Sequence, residues 1–197
     1  MAHKIVELEC PGCGVPITTG TRQCPQCFRE IVITTFHSVY SMALPEVNKY
    51  ANSYRKALAE DPEHKEWNRS IAFCYLKLKL YDQALSCFEK AMEDNFDHSE
   101  TYFYAAVCLL KGKKAFLAPR DVINKIEEYL NAALMIEPKG IYYYFQAYIK
   151  YDYFERKSFY TSPTWQEAFA AAEDMGLSET DVMQLYGILG VEKPSCL

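Results

Sequence analysis

The sequence predicts a mainly α-helical protein, with stacked pairs of amphipathic helices behind a small N-terminal β segment folded around a metal ion. Three observations predict it. Four of the eight cysteines fall in two Cys-Pro-x-Cys turns between Cys10 and Cys27. From residue 44 onward, apolar residues recur at i, i+3, i+4 and i+7, and no alternating strand pattern interrupts them. Half of the 197 residues are apolar and 15% are aromatic, enough to bury a real core.

The N-terminal segment comes first. Cys10-Pro11-Gly12-Cys13-Gly14 and Cys24-Pro25-Gln26-Cys27 give the spacing C-x2-C-x10-C-x2-C. Two thiolates three residues apart wrap one tetrahedral ion from a tight turn, and a second turn completes a four-cysteine cage. Pro and Gly in these turns let the backbone curl its N–H groups toward the sulfurs. Val15–Thr19 and Ile31–Thr35 are rich in β-branched residues, as expected of a small hairpin or ribbon. The segment resembles a zinc ribbon over about residues 8–35. That resemblance implies one structural Zn2+ held by Cys10, Cys13, Cys24 and Cys27, with no open coordination position. An iron site of the rubredoxin kind and a redox cysteine pair are the alternatives. Ribbons of this kind often contact nucleic acid. Here Lys4, Arg22 and Arg29 are balanced by Glu7, Glu9 and Glu30, whereas phosphate binding demands clustered cations.

The expected organisation is a zinc ribbon over 1–35, an extended linker over 36–44, a helical repeat domain over 45–190 and a tail over 191–197. Pro45 suits a helix start, and Pro62 follows its end. Further helices are expected near 63–79, 82–94, 98–112, 119–136, 139–156, 163–175 and 179–189. Ser178 and Asp181 offer a capping-box-like start to the last.

Within these helices a period emerges. Counting from residue 65, the chain places Asn68, Ile71, Ala72, Tyr75, Ala84, Phe88, Ala91 and Phe96. These resemble the tetratricopeptide repeat, whose pattern is W-x2-L-G-x2-Y, then A-x3-F-x2-A, then P. Asn68 and Phe96 replace the Trp and Pro, with Trp67 one residue away. Tyr50, Tyr54, Ala57 and Pro62 match the second half of a preceding unit. Tyr102, Ala105, Ala106 and Leu109 open a third, which resumes at Ile126, Leu130, Ala133 and Pro138 after an insertion of about eight residues around 112–119. Tyr144, Ala147, Tyr148 and Tyr151 open a fourth, completed around Ala168 and Ala172. The resemblance covers roughly residues 46–175 and implies an α-α superhelix that binds proteins. An irregular helical domain of another family is the alternative.

In that family the first helix of each pair lines a concave face. Carried onto this chain, the positions imply an apolar, aromatic peptide groove at Phe73, Phe103, Val107, Tyr142, Phe145, Ile149 and Tyr153. These side chains leave no room for a polar clamp on a peptide carboxylate. The groove either takes a partner or is filled by the chain itself, with Phe36–Met42 and the C-terminal helix as candidate fillers.

Other chemistry is sparse. His3, His37, His64 and His98 are scattered, and Glu63-His64 reads as a solvated helix start. No phosphate loop, dinucleotide fingerprint or nucleophile elbow appears. Cys74, Cys87 and Cys108 fall on helix faces as buried thiols, and Cys196 is free. The run Tyr142-Tyr143-Tyr144 reads as core or as recognition surface. The formal charge is −5, which argues against a general polyanion binder, and all of it falls after residue 163: one base, Lys193, against six acids. That stretch is expected to be a solvated capping face or a docking face for a basic partner. Eight cysteines are too few for a disulfide scaffold, which needs roughly 8–10%. Neither a signal-like apolar run nor a myristoylation or prenylation box is present, since Ala2 and the penultimate Cys196 break the last two. The longest apolar stretch, Tyr102–Leu110, falls short of the about 20 residues of a membrane span. These readings together lead to a non-enzymatic cytoplasmic adaptor or scaffold with a protein or peptide partner. The alternative is a nucleic-acid-associated factor, transcriptional or RNA-related, that uses its ribbon.

Overall fold

The computed structural model describes residues 7–18, 20–93 and 95–197. His3, Lys4 and Thr19, which entered the reading above, lie outside them. The chain divides into two compact units, Met1–Asn95 and Phe96–Leu197. The division falls at 95/96 and not near residue 45, so the cysteine turns belong to the same unit as the first helices.

In the first unit, β1 (Glu7–Glu9) and β2 (Pro16–Thr18) form a short antiparallel hairpin with Leu8 opposite Ile17. A lone bridge pairs Gln23 with Glu30. Ile31–Thr35 is not a strand, despite its β-branched composition. Ile31, Val32 and Ile33 are buried; the Ile31 N–H donates to the Arg22 carbonyl, while the Ile31 carbonyl and both backbone groups of Ile33 bond to helix side chains. The expected extended linker is also different. Phe36–Tyr40 forms a short helix, α1, whose Phe36 and Val39 are fully buried. Three residues apart, these two share one helix face, which packs on α3.

Four helices make up the rest of this unit's described fold: α1, α2 (Leu44–Glu60), α3 (Lys65–Lys77) and α4 (Tyr81–Met92). Pro45 sits in the first turn of α2, where its missing N–H costs nothing. His64 caps α3 by accepting a bond from the Trp67 N–H and lies against the Trp67 ring, 5.6 Å away. It is therefore a buried cap, not a solvated one. Ala72 and Ala84 are fully buried between α3 and α4, and their small side chains allow that close pairing.

The second unit pairs α5 (Ser99–Leu109) with α6 (Arg120–Ile136), and α7 (Gly140–Ile149) with α8 (Trp165–Asp174). Helix α9 (Glu179–Leu189) follows and contacts α7. The insertion after α5 holds a 3-10 turn at Ala115–Leu117. Helix α7 runs on, but changes to a π-turn at Lys150–Phe154 and a 3-10 turn at Glu155–Lys157. The capping box belongs to Thr164 and Glu167 at α8, whereas Ser178 makes no side-chain cap bond at α9. Gly140 is a packing residue that the helical period does not reveal. A Cβ there would meet the Ala172 carbonyl and the Leu177 nitrogen at 2.9 Å.

Candidate metal centre and the predicted groove

The four cysteines converge. Their sulfurs all lie within 4.8 Å of one another, with Cys10–Cys27 and Cys13–Cys24 each 3.6 Å apart. A disulfide needs about 2.05 Å, so these are not bonded pairs. Four thiolates at about 2.3 Å from a tetrahedral ion sit about 3.8 Å apart, close to what is observed. The residues therefore fit a four-cysteine metal site.

Each turn folds the same way. Gly14 N–H donates to the Cys10 carbonyl at 2.8 Å, and Phe28 N–H donates to the Cys24 carbonyl at 3.0 Å. The residue after each second cysteine is left-handed, Gly14 at φ 77° and Phe28 at φ 58°. For a bulky, 72% exposed Phe this conformation is strained, and no sequence signal predicts it. The Gly12 N–H points at the Cys10 sulfur, 3.3 Å away.

The crowded thiols do not titrate alike. The Cys27 N–H, seconded by that of Gln26, holds Cys24 down to about 6 against the cost of burial. At Cys13 the Val15 N–H lowers the pKa, but burial and the other three sulfurs prevail and push it up to about 12. Burial raises Cys10. Four thiols this close cannot all ionise unless a cation balances them.

The cage is seated on α2 and α3. Arg29 pairs with Glu46, and that carboxylate raises the Arg29 pKa. The Tyr50 hydroxyl donates to the Glu30 carbonyl at 3.0 Å, and Tyr54 donates to Ile31 at 2.6 Å. Ser53 donates to the Glu9 carbonyl at 2.9 Å. Positions 46, 50, 53 and 54 share one face of α2, so a single helix stripe meets Arg29, Glu30, Glu9 and Ile31. An open cleft of about 930 Å³ separates the first cysteine turn from Lys49 and Lys56 on the same helix. Lys56 bridges to Glu9 at 3.3 Å, and Arg22 bridges to Glu66 at 3.2 Å. Arg22 and Arg29, the described cations of this segment, thus both face carboxylates.

The seven groove residues are all buried, with exposures between 0% and 4%. Phe73 lies between Phe36 and Phe88, with ring centroids 6.2 and 5.4 Å away. The segment around Phe36 therefore covers the α3 face, and Lys77 secures it by donating to the Tyr40 carbonyl at 2.6 Å. In the second unit Phe103 stacks on Tyr142 at 4.6 Å and meets Phe145 edge-on at 5.8 Å. Ser99 and Tyr142 join hydroxyls at 2.9 Å. Val107 and Ile149 are fully buried, and Tyr153 lies beneath the Lys157 ammonium, 3.9 Å from its ring centroid. These positions are thus filled by the chain itself: Phe36, within the candidate filler Phe36–Met42, packs on Phe73, and helix packing buries the positions in the second unit. The concave-face positions of the family pattern are used here to join helices. In the tyrosine run, Tyr142 and Tyr144 are core. Among the remaining cysteines, Cys74 and Cys108 are buried, Cys87 is half-buried with its thiol pushed up to about 11 by burial, and Cys196 is exposed.

No curated protein matches the chain. Among solved structures, one described as "MamA MSR-1 C2" aligns with a TM-score of 0.49 and 18% identity, over 66% of this chain and 67% of that one. Among the described residues, no helix is long and apolar enough to cross a membrane. Residues 51–113, from within α2 to the end of the α5 turn, match the model of the family described as "Tetratricopeptide repeat".

Proposed function

We propose that this chain is a non-enzymatic adaptor that joins protein partners, with a structural zinc ion ordering its N-terminal segment. The observation that carries the reading is the tetratricopeptide match over residues 51–113, because such helix pairs serve as rigid platforms for protein contacts. The aromatic first-helix positions are spent on packing, so partners dock on exposed surface. The N-terminal cage acts as a cover bolted to α2 and α3, consistent with the bonds from Tyr50, Ser53 and Tyr54 on α2 and from Ser70 on α3. Pairing of Arg22 and Arg29 with carboxylates disfavours the nucleic-acid reading of that segment.

Zinc is the ion favoured by four thiolates with no further ligand, and iron is its rival, distinguished by visible absorption. The adaptor role is tested by affinity capture with the folded full chain, followed by reconstitution of the captured protein with purified chain. A complex of fixed stoichiometry is expected. Capture of RNA alone, or no complex, would contradict the role.

A further inference from the structure

The insertion that interrupts the repeat is a built feature. The Asp152 carboxylate, 3% exposed, accepts from the Phe116 N–H at 2.8 Å and also pairs with Arg156. The Tyr148 hydroxyl accepts from the Ala115 N–H at 3.3 Å. Lys150, equally buried, pairs with Glu127 and donates to Thr161 at 2.7 Å, which anchors the loop after the π-turn. Buried polar groups thus fix the insertion and the π-turn against one another.

What they display is basic. Residues 111–120 hold Lys111, Lys113, Lys114 and Arg120 and no acid. Arg120 lies over Phe154 at 4.8 Å, Arg156 over Phe116 at 4.5 Å, and Lys157 over Tyr153 at 3.9 Å. Among the described residues, Lys113, Lys114, Arg120 and Lys157 have no carboxylate partner. Of the acids between 150 and 157, Asp152 is neutralised by Arg156 and Glu155 is exposed. Exposed apolar side chains adjoin them: Leu117, at 68%, follows Phe116 in the same 3-10 turn, and Phe159, at 49%, lies 6.1 Å from the Tyr153 ring under Lys157.

We propose that this surface docks an acidic protein segment carrying apolar side chains. The proposal rests on the adaptor reading and names its partner chemistry. Carboxylates would meet the cations, and apolar side chains would meet Leu117 and Phe159. A single-stranded nucleic acid fits less well. The faces of Phe116, Tyr153 and Phe154 are already covered by cations, and Tyr153 and Phe154 are buried, so they offer no platform for bases. The rings hold the cations in place and lower the entropy lost on binding.

The test is fluorescence anisotropy of the full chain with a labelled peptide of roughly twelve residues repeating Glu-Glu-Leu. Its Lys-Lys-Leu counterpart and an oligouridylate of similar length are the controls. Binding of the acidic peptide is expected to weaken as salt rises from about 50 to about 300 mM. Lys113→Glu with Lys114→Glu is expected to weaken it by about tenfold or more, and Arg120→Gln by a smaller factor. Lys49→Glu, on the first unit, is expected to leave it unchanged. Equal binding by the reversed variant, tighter binding of the oligouridylate, or no acidic-peptide binding by the folded chain would overturn the proposal. A protein complex that survives the charge reversal would overturn this surface alone and leave the adaptor reading standing.

Discussion

Ser70 and Ile33 exchange two hydrogen bonds. The Ile33 N–H donates to the Ser70 hydroxyl oxygen, and that hydroxyl donates to the Ile33 carbonyl, both at 3.1 Å. One buried side chain on α3 thereby satisfies both backbone groups of a residue that lies six positions after the last cysteine of the cage. Ser70→Ala leaves that N–H and carbonyl unpartnered in a buried site. The expected cost is about 1–3 kcal/mol of stability. Urea unfolding followed by far-UV circular dichroism measures it, and a change under about 0.5 kcal/mol would mean that the seat holds without this residue.

The aromatic positions make a second case. Phe103→Ala removes a ring that stacks on Tyr142 and meets Phe145 edge-on, and a loss of about 3–5 kcal/mol is expected. Phe103→Asp is expected to unfold the second unit. Met135→Asp, at an 87% exposed position of α6, is expected to change stability by less than about 0.5 kcal/mol. A folded Phe103→Asp chain that had only lost a partner would restore the groove.

Gly140→Ala sets helix propensity against packing. Gly140 is the first residue of α7, so alanine's preference of about 1 kcal/mol for a helix interior counts for less here. The new methyl would lie 2.9 Å from two backbone atoms, the Ala172 oxygen and the Leu177 nitrogen. Backbone cannot swing aside as a side chain does, so a net loss of about 1–3 kcal/mol is expected in thermal melts. A raised melting temperature would show that α7 and α8 have slack.

Legibility in the sequence followed physical scale. Helices α2, α4, α6, α8 and α9 were readable because each buries one stripe, and a stripe repeats with the helical period, whereas α3, α5 and α7 are buried on nearly every side. Phe73 and Phe103 illustrate what periodicity leaves out. It marks which side chains must be buried, but not which neighbours bury them. For Phe73 the answer is Phe36, in a segment too short to show a period. Gly140 and the π-turn depend on contacts between helices distant in sequence, so neither leaves a local signature. The cysteine cage was the most legible feature, because ligand spacing alone dictates the two turns. The seat beneath it, built from Tyr50, Tyr54 and Ser70, was not.

Tyr50 and Tyr142 set an alkaline limit. Burial pushes both phenols up to about 12, from about 10 in an unfolded chain. Their neutral forms favour the fold, so this stability is complete below about pH 10 and is lost as pH rises toward 12. A circular dichroism titration at constant salt should show helix loss beginning in that window. Tyr142→Phe is expected to shallow the slope. Full helicity well above pH 12 would contradict the burial of these hydroxyls.

The metal cage as a folded part of the first unit is tested most directly by elemental analysis of the purified full chain, with its free thiols counted. One zinc per chain is predicted, with Cys10, Cys13, Cys24 and Cys27 reacting with a thiol reagent only after chelation. A chain without metal, in which those four cysteines are reduced and freely reactive, would contradict the account.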